Sequence, residues 1–159
     1  MDPQAPSEIG GACLSRAARR TANLLTRTYN AYLAPSGVEV TQFSILCTIA
    51  RGNAGSASEL ADLVGVERST LARNLDRLAA AGLVRAEPGE GRRIVHVLTQ
   101  EGMQRIAAAQ PLWRKAQDAL LAELPANQDV ALLDDFRLLR RAAHAAQRTL
   151  AMQQSTTES

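Results

Sequence analysis

The chain has 159 residues, of which 46% are hydrophobic and 21% are charged, and its formal net charge is +2. This length suits one domain with a sizeable core, and the composition excludes an intrinsically disordered chain. A net charge this small excludes any argument for nucleic-acid binding from charge alone, although 17 of the 18 basic residues are arginines, whose planar guanidinium suits phosphate and guanine. Codon bias in a GC-rich genome is the alternative explanation of this excess.

Several classes of function find no support in the sequence. No stretch predicts a signal sequence or a membrane span, so we expect a cytoplasmic protein with no membrane partner. Cys13 and Cys47 have no metal-ligand spacing, which predicts two reduced thiols, no metal site and no cofactor. His96 and His144, the only histidines, offer neither a ligand pair nor an evident base, so we expect no catalytic residues and no enzyme.

The first predicted elements are two helices. From about Ile9 to Leu33 apolar residues recur at helical spacing, which predicts a long amphipathic helix that the Pro35, Gly37 turn ends. Thr41 is then predicted to cap a second helix, and Gly52 is predicted to close it.

The next predicted elements are two helices joined by a tight turn. Ser56 precedes Glu59 by three residues, the spacing of a capping box, and predicts a third helix from about Ala57 to Val64. Gly65 is expected to end this helix, and a fourth helix then extends to about Ala81.

Two short strands and two long helices complete the chain. Leu83 to Ala86 and Ile94 to Leu98 are rich in apolar and β-branched residues and flank a Pro and Gly turn, which predicts a hairpin. Thr99 is predicted to cap a fifth helix that runs to about Leu124, and the last helix begins near Asn127. The predicted fold class is therefore mainly α with a small β-hairpin.

The last predicted helix carries an apolar seam whose members are separated alternately by four and three residues. This spacing is typical of a helix that packs lengthwise against other helices. The first and fifth helices could cover the seam within one chain, but we favour burial against a second chain, that is, a homodimer. The seam consists of Leu132, Phe136, Leu139, Ala143, Ala146 and Leu150.

The fourth helix and the hairpin carry the candidate DNA contacts. Leu71, Leu75 and Leu78 form an apolar face of the helix, and its polar side chains are suited to base edges and phosphates in a major groove. A merely solvated helix face is the alternative. Arginines beside small residues in the hairpin turn suit a phosphate backbone or a minor groove. The predicted contacts to duplex DNA are Arg68, Ser69, Thr70, Arg73, Asn74, Arg77, Arg92 and Arg93.

These segments resemble the MarR family of bacterial transcription regulators. The resemblance rests on LAPSGVEVTQFSIL after the first helix, on ELADLVGVERSTLARNLDRLAAAGLV, and on the LTxxG pattern at Leu98, Thr99 and Gly102. It implies one MarR-like domain over 1–159, with a winged helix-turn-helix lobe at 41–98 flanked by dimerisation helices at 8–34 and 99–153. The Asp-x-Arg pattern common in the family's wing is Glu90, Gly91, Arg92 here, which leaves the orientation of Arg92 open.

The resemblance also implies a function. Family members are typically repressors that bind a palindromic operator as homodimers and are released by a small-molecule effector, often aromatic or phenolic. Core packing is the alternative role for each residue of the corresponding pocket. The predicted ligand-binding residues are Arg20, Tyr29, Phe43, Cys47 and Trp113.

Two alternative functions stay open. One branch of the family senses peroxide through a cysteine in the first helix, and Cys13 with Tyr29 is similar to that arrangement, although Arg19 stands where a nearby tyrosine is expected. The other alternative is a dimeric adaptor that has kept the winged helix without binding DNA.

Overall fold

The computed structural model describes residues 11–52, 56–89, 91, 93–125 and 128–157. Across these residues the chain forms six α-helices, one 3-10 turn and a two-stranded antiparallel hairpin, which confirms the predicted fold class. The chain divides into two compact units, Met1–Gln117 and Asp118–Ser159. The first unit holds the helix-turn-helix and the hairpin, and it therefore contains all the predicted DNA contacts.

Helix α1 spans Leu14–Leu33 and ends where the sequence predicts. A 3-10 turn over Ala34–Ser36 follows, and the Ser36 hydroxyl donates to the Leu33 carbonyl at 2.6 Å. Gly37 then adopts φ 73°, a left-handed conformation that side chains disfavour and that glycine adopts freely. This turn redirects the chain into the next helix.

Helix α2 spans Val40–Ala50, so the prediction that Thr41 caps it is wrong. The Gln42 side-chain oxygen accepts from the Glu39 amide at 3.0 Å, and the Asn30 side-chain oxygen accepts from the Val40 amide at 2.7 Å. The amides at the helix start are thus already satisfied before Thr41. Gln42, three residues after Glu39, supplies one acceptor, and Asn30 of α1 supplies the other.

Helices α3, Ala57–Val64, and α4, Arg68–Ala80, form the helix-turn-helix. The Ser56 hydroxyl oxygen accepts from the Glu59 amide at 3.2 Å, as the capping-box spacing predicts. Gly65 ends α3 with φ 78°, and its amide donates to the Ala61 carbonyl. The sharp turn at Gly65 lets α4 pack back on the rest of the unit.

Strands β1, Val84–Pro88, and β2, Ile94–Leu98, pair in register from Val84 with Leu98 to Pro88 with Ile94. The Gly89 amide donates to the Arg93 carbonyl at 2.8 Å, and this bond extends the pairing of the two strands toward the turn. The first strand begins one residue later and ends two residues later than predicted, whereas the second matches its predicted bounds.

Helix α5 spans Gln100–Ala122, and the LTxxG pattern holds its first turn against the hairpin. The Thr99 hydroxyl accepts from the Gly102 amide at 3.0 Å and donates to the Gly82 carbonyl at 2.7 Å. A Cβ on Gly102 would lie 2.1 Å from the Leu83 carbonyl oxygen. Glycine at this position is therefore required by close approach of two backbones.

The core of the first unit joins α1, α2 and α4. Its largest fully buried side chains are Leu33, Ile45, Leu46, Leu71 and Leu78. No single helix in the described ranges is long and apolar enough to cross a membrane, whereas α1 with its 3-10 turn and α2, bent by 74°, meet that criterion only as a pair.

The second unit is dominated by helix α6, Gln128–Thr157. It starts one residue after Asn127, which lies outside the described residues. Leu132, Phe136 and Leu139 of the predicted seam have exposed fractions of 39%, 39% and 36%. A single copy of the chain thus leaves an apolar stripe on this helix accessible to a partner.

Candidate nucleic-acid interface and ligand cavities

Helix α4 has an apolar face and a cationic face. Leu71, Leu75 and Leu78 are buried, and this burial fixes which side of the helix turns outward. Arg73 and Arg77 lie on the opposite, exposed face, and a nitrogen of the Arg73 guanidinium lies 3.4 Å from the hydroxyl of the half-buried Thr70. The face therefore presents guanidinium donors, held on a rigid element, to any partner of complementary charge.

The first turn of α4 adds two exposed residues, Arg68 and Ser69. The residue before the helix, Glu67, makes no side-chain hydrogen bond to the helix start. Backbone amides at an uncapped helix start attract anions such as phosphate. This end of the helix can thus bind phosphate through both backbone and side chain.

Asn74 differs from its predicted exposed position. Its side chain is only 8% exposed, and its amide nitrogen donates to the Thr70 carbonyl at 2.9 Å. The sequence held the signal for this burial, because Asn74 lies three residues after Leu71 and four before Leu78, the spacing of a core position. In this conformation the side-chain amide is bonded to the backbone of its own helix.

The hairpin supplies the wing of a winged helix-turn-helix. Arg93 is exposed next to the turn, whereas Glu90 and Arg92 lie outside the described residues. Sequence reasoning missed Arg85, an exposed residue of β1 whose Nε lies 2.6 Å from a Glu87 carboxylate oxygen. That ion pair reduces the positive charge that β1 presents, so Arg93 is the exposed cation of the described wing that we assign to the candidate interface.

Three of the five predicted ligand-binding residues line one cavity of about 460 Å³ between α2 and α5, which we call the Trp113 cavity. Phe43 and Trp113 provide aromatic surface, and Cys47 is half-buried, so that burial raises the pKa of its thiol while Arg51 acts in the opposite direction. Ser44, Thr48 and Gln110 add neutral hydrogen-bonding groups. The cavity can thus hold a small aromatic molecule.

Arg20 and Tyr29, the other two predicted ligand residues, do not line this cavity. Arg20 is exposed on α1. The Tyr29 hydroxyl donates to the side-chain oxygen of Gln117, and burial raises the pKa of Tyr29. The hydroxyl of Tyr29 therefore joins α1 to α5.

A second cavity, of about 670 Å³, lies beneath the hairpin and was not predicted from the sequence; we call it the wing cavity. The end of α2, the start of α3, all of β2 and the first turns of α5 contribute to its walls. Because these segments are far apart in sequence, no local pattern could have indicated it. Its lining residues are Ile49, Ala50, Gly52, Ser56, Ala57, Leu60, Ile94, Val95, His96, Val97, Leu98, Met103 and Ile106.

His96 lies in the wall of the wing cavity and is near α4. Partial burial lowers the pKa of its imidazole, and the negative charge of Asp76 on α4 opposes that shift. Both cysteines are free thiols, and the described part of the chain contains no cluster of three or more His, Cys, Asp or Glu side chains suited to a metal ion.

Comparison with known proteins identifies relatives among transcription regulators. A family model described as MarR family matches residues 36–94. The chain is 30% identical over 94 residues to the HTH-type transcriptional repressor NicR of Pseudomonas putida, covering 58% of this chain and 60% of NicR. It is 33% identical over 78 residues to the multiple antibiotic resistance protein MarR of Salmonella typhimurium, covering 48% of this chain and 54% of that protein. The alignments thus span somewhat more than half of each relative.

Solved structures extend the similarity over most of the chain. The Mycobacterium tuberculosis transcriptional regulator MosR is 36% identical, covers 85% of this chain and 98% of its own, and superposes with a TM-score of 0.77. The structure of MosR in complex with DNA is 37% identical, covers 84% of this chain and 98% of its own, and has a TM-score of 0.76. A Mycobacterium tuberculosis MarR family protein in complex with salicylic acid is 27% identical, with coverages of 80% and 96% and a TM-score of 0.62.

Proposed function

Because the chain belongs to the MarR family, we propose that it is a transcription regulator that binds a palindromic operator in duplex DNA as a homodimer. The observation that carries the proposal is the exposed arginine face of α4, which lies opposite its buried leucines in a winged helix-turn-helix. MosR, a similar protein over most of the chain, has been crystallised with DNA, and this supports the same activity here.

The two parts of the interface are proposed to act differently. Arg73 on the exposed face of α4, with Thr70 beside it, is assigned to base edges in the major groove, where a guanidinium can bind guanine through two hydrogen bonds. Arg77, Arg93 and, from the sequence, Arg92 are assigned to phosphates or to a narrow minor groove. Arg68 and Ser69 bind phosphate at the helix start. Asn74 is not assigned a DNA contact, because its amide is bonded to Thr70.

The experiment begins by selecting bound duplexes from a random pool with the full chain and then measuring affinity by fluorescence anisotropy. Replacing Arg73 by Ala should weaken operator binding by about 1 to 3 kcal/mol per half-site and relax the preference at particular positions. Arg114→Ala is the matched control, since Arg114 is exposed on α5, outside the winged helix. If the Arg73 and Arg114 variants bind every duplex as the unchanged protein does, α4 is not the recognition helix.

We also propose that a small aromatic effector binds the Trp113 cavity and releases DNA, so that the protein acts as a repressor. The salicylic acid complex of a related family member and the aromatic lining of the cavity support this part. An effector can release DNA only if it binds the non-DNA-binding arrangement more tightly, and operator DNA must then weaken effector binding by the same free energy.

Trp113, the only tryptophan of the chain, gives a direct measurement of the effector. Aromatic acids and phenols are titrated against the free protein and the operator complex while tryptophan fluorescence is followed. An inducer should bind the complex more weakly, by the factor by which it weakens DNA binding. A compound that binds both forms equally is not an inducer.

A further inference from the structure

We propose that the wing cavity is a second ligand site, which takes a small, uncharged, mainly apolar molecule that carries a hydroxyl group. The site is distinct from the Trp113 cavity, although Ile106 of α5 contributes to both walls. The proposal concerns binding alone and does not rest on the proposed regulatory function. Its volume of about 670 Å³ lies within the range of small-molecule sites in proteins.

The apolar part of the ligand follows from the walls. Ile94 and Met103 line the cavity with exposed fractions of 60% and 63%, so two large apolar side chains meet solvent at one concave surface. A bound molecule would remove this apolar area from water without any rearrangement of the buried core. Burial of apolar area is the main favourable contribution to the free energy of most binding. The described neighbours of Ile94 in β2 are also mainly apolar.

The hydroxyl group follows from His96. Its imidazole lines the cavity and makes no hydrogen bond to any described residue, and burial lowers its pKa, which favours the uncharged ring at neutral pH. An uncharged imidazole has one nitrogen that accepts a hydrogen bond. Ser56, another lining residue, uses its oxygen to cap Glu59 and keeps a hydroxyl proton that is not used by that bond. The lining therefore offers a ligand hydroxyl an acceptor in His96 and a donor in Ser56.

The residues that line the wing cavity also indicate that its ligand is uncharged. None of the described residues of the wing cavity carries a formal charge near neutral pH, so an anion bound there would lose solvation without an opposite charge. Asp76 of α4, the charged group that acts on His96, is negative and would repel a carboxylate. A phenol-like hydroxyl thus fits the site better than an aromatic acid.

The test uses three probes of the same ring system, 2-naphthol, naphthalene and 2-naphthoate, titrated into the full chain by calorimetry at neutral pH. We expect 2-naphthol to bind most tightly and 2-naphthoate most weakly. His96→Phe, which keeps an aromatic ring and removes both nitrogens, should weaken 2-naphthol binding by about three- to ten-fold, the effect of one lost hydrogen bond, and leave naphthalene binding unchanged.

Filling variants identify the cavity that the probe occupies. Ala50→Phe and Ala57→Phe add bulk to the lining of the wing cavity from two different helices, at residues that are themselves exposed, so folding should survive at least one of them. Each should remove the 2-naphthol binding that depends on His96, whereas Cys47→Phe, which fills the Trp113 cavity proposed for the aromatic effector, should leave that binding in place. The proposal is overturned if Cys47→Phe alone abolishes binding, if the folded Ala50 and Ala57 variants bind normally, or if 2-naphthoate binds more tightly than 2-naphthol.

Discussion

Arg73 and Asn74 are adjacent in the chain, but their side chains have different surroundings. Arg73 is exposed, whereas Asn74 is buried and bonded to the Thr70 carbonyl. Replacing Asn74 by Ala should therefore lower the free energy of unfolding by about 1 kcal/mol, because one buried hydrogen bond is lost. Arg73→Ala should leave that free energy almost unchanged and weaken DNA binding instead.

Urea denaturation and anisotropy, applied to both variants, separate these two effects. Asn74→Asp is a useful companion variant, because it keeps the size of the side chain and removes the donor nitrogen. A fall in operator selectivity with unchanged stability in the Asn74→Ala variant would contradict the assignment and return Asn74 to the DNA-contacting set.

His96 gives a second prediction at the scale of one residue. Burial lowers its pKa in the folded protein, so the unfolded chain binds this proton more tightly. Stability contributed through His96 is therefore fully present above the unfolded pKa of about 6.5 and is lost as pH falls through the lower folded pKa. His96→Gln should make the free energy of unfolding less dependent on pH between about 5 and 7.

Urea titrations across this pH range measure the effect, which solvent screening keeps small because the ring is only partly buried. His144→Gln is the matched control, since His144 is exposed on α6, in the other compact unit. If the His96→Gln variant and the unchanged protein lose stability equally on acidification, burial of His96 is not a source of the pH dependence.

The junction of the wing with α5 depends on Gly102. A methyl group there would meet the Leu83 carbonyl oxygen at 2.1 Å, and backbone atoms cannot move away as a flexible side chain can. Gly102→Ala should therefore lower the free energy of unfolding by about 1 to 3 kcal/mol, despite the higher helix propensity of alanine. Gly11→Ala is the control, because nothing lies within 4 Å of the added atom. Equal stability of the two variants in urea would contradict this account of the LTxxG pattern.

The elements that sequence alone predicted well are those with local causes. The Ser56 cap, the Gly65 turn and the Thr99 cap each depend on residues at most four positions apart, and all three are present. The start of α2 was misplaced because one of its amides is satisfied by Asn30, ten residues before it. Periodicity located the buried leucines of α4 and also gives Asn74 the spacing of a core position, but the polar character of its side chain led to its assignment to the exposed face.

A candidate site could be predicted from the sequence when all its residues lie on one helix or strand, and it could not be when they come from several. The arginines of α4 follow from helical spacing on a single helix, whereas the Trp113 cavity was found only in part, with three residues from α2 and α5. Tyr29 was assigned to the ligand, but its hydroxyl is bonded to Gln117, a contact across 88 residues. The wing cavity, built from four separate segments, had no signal in the sequence.

At the scale of the whole molecule, the exposed seam of α6 is the feature that a single chain does not explain. Leu132, Phe136 and Leu139 follow each other at four and three residues and are each more than a third exposed. Soluble monomers seldom expose a contiguous apolar patch of this kind, and a two-fold interface would bury the same patch on both copies. Dimer formation would place two arginine faces on one duplex, which suits a palindromic operator.

Replacing Leu132 and Phe136 together by Glu tests this dimer. A two-fold interface would bring the added carboxylates into the same buried patch, and since burying an unpaired charge costs several kcal/mol, the dimer dissociation constant should rise by about a hundred-fold or more. Sedimentation over a range of concentrations measures the dimer dissociation constant.

Each monomer of the double variant could bind only one half-site, so affinity for the palindrome should fall toward that for an isolated half-site, because the second contact is no longer intramolecular. Arg140→Glu, also an exposed change on α6, should retain the dimer. If the double variant stays folded and dimeric at the same concentrations as the unchanged protein, the seam of α6 is not the dimer interface.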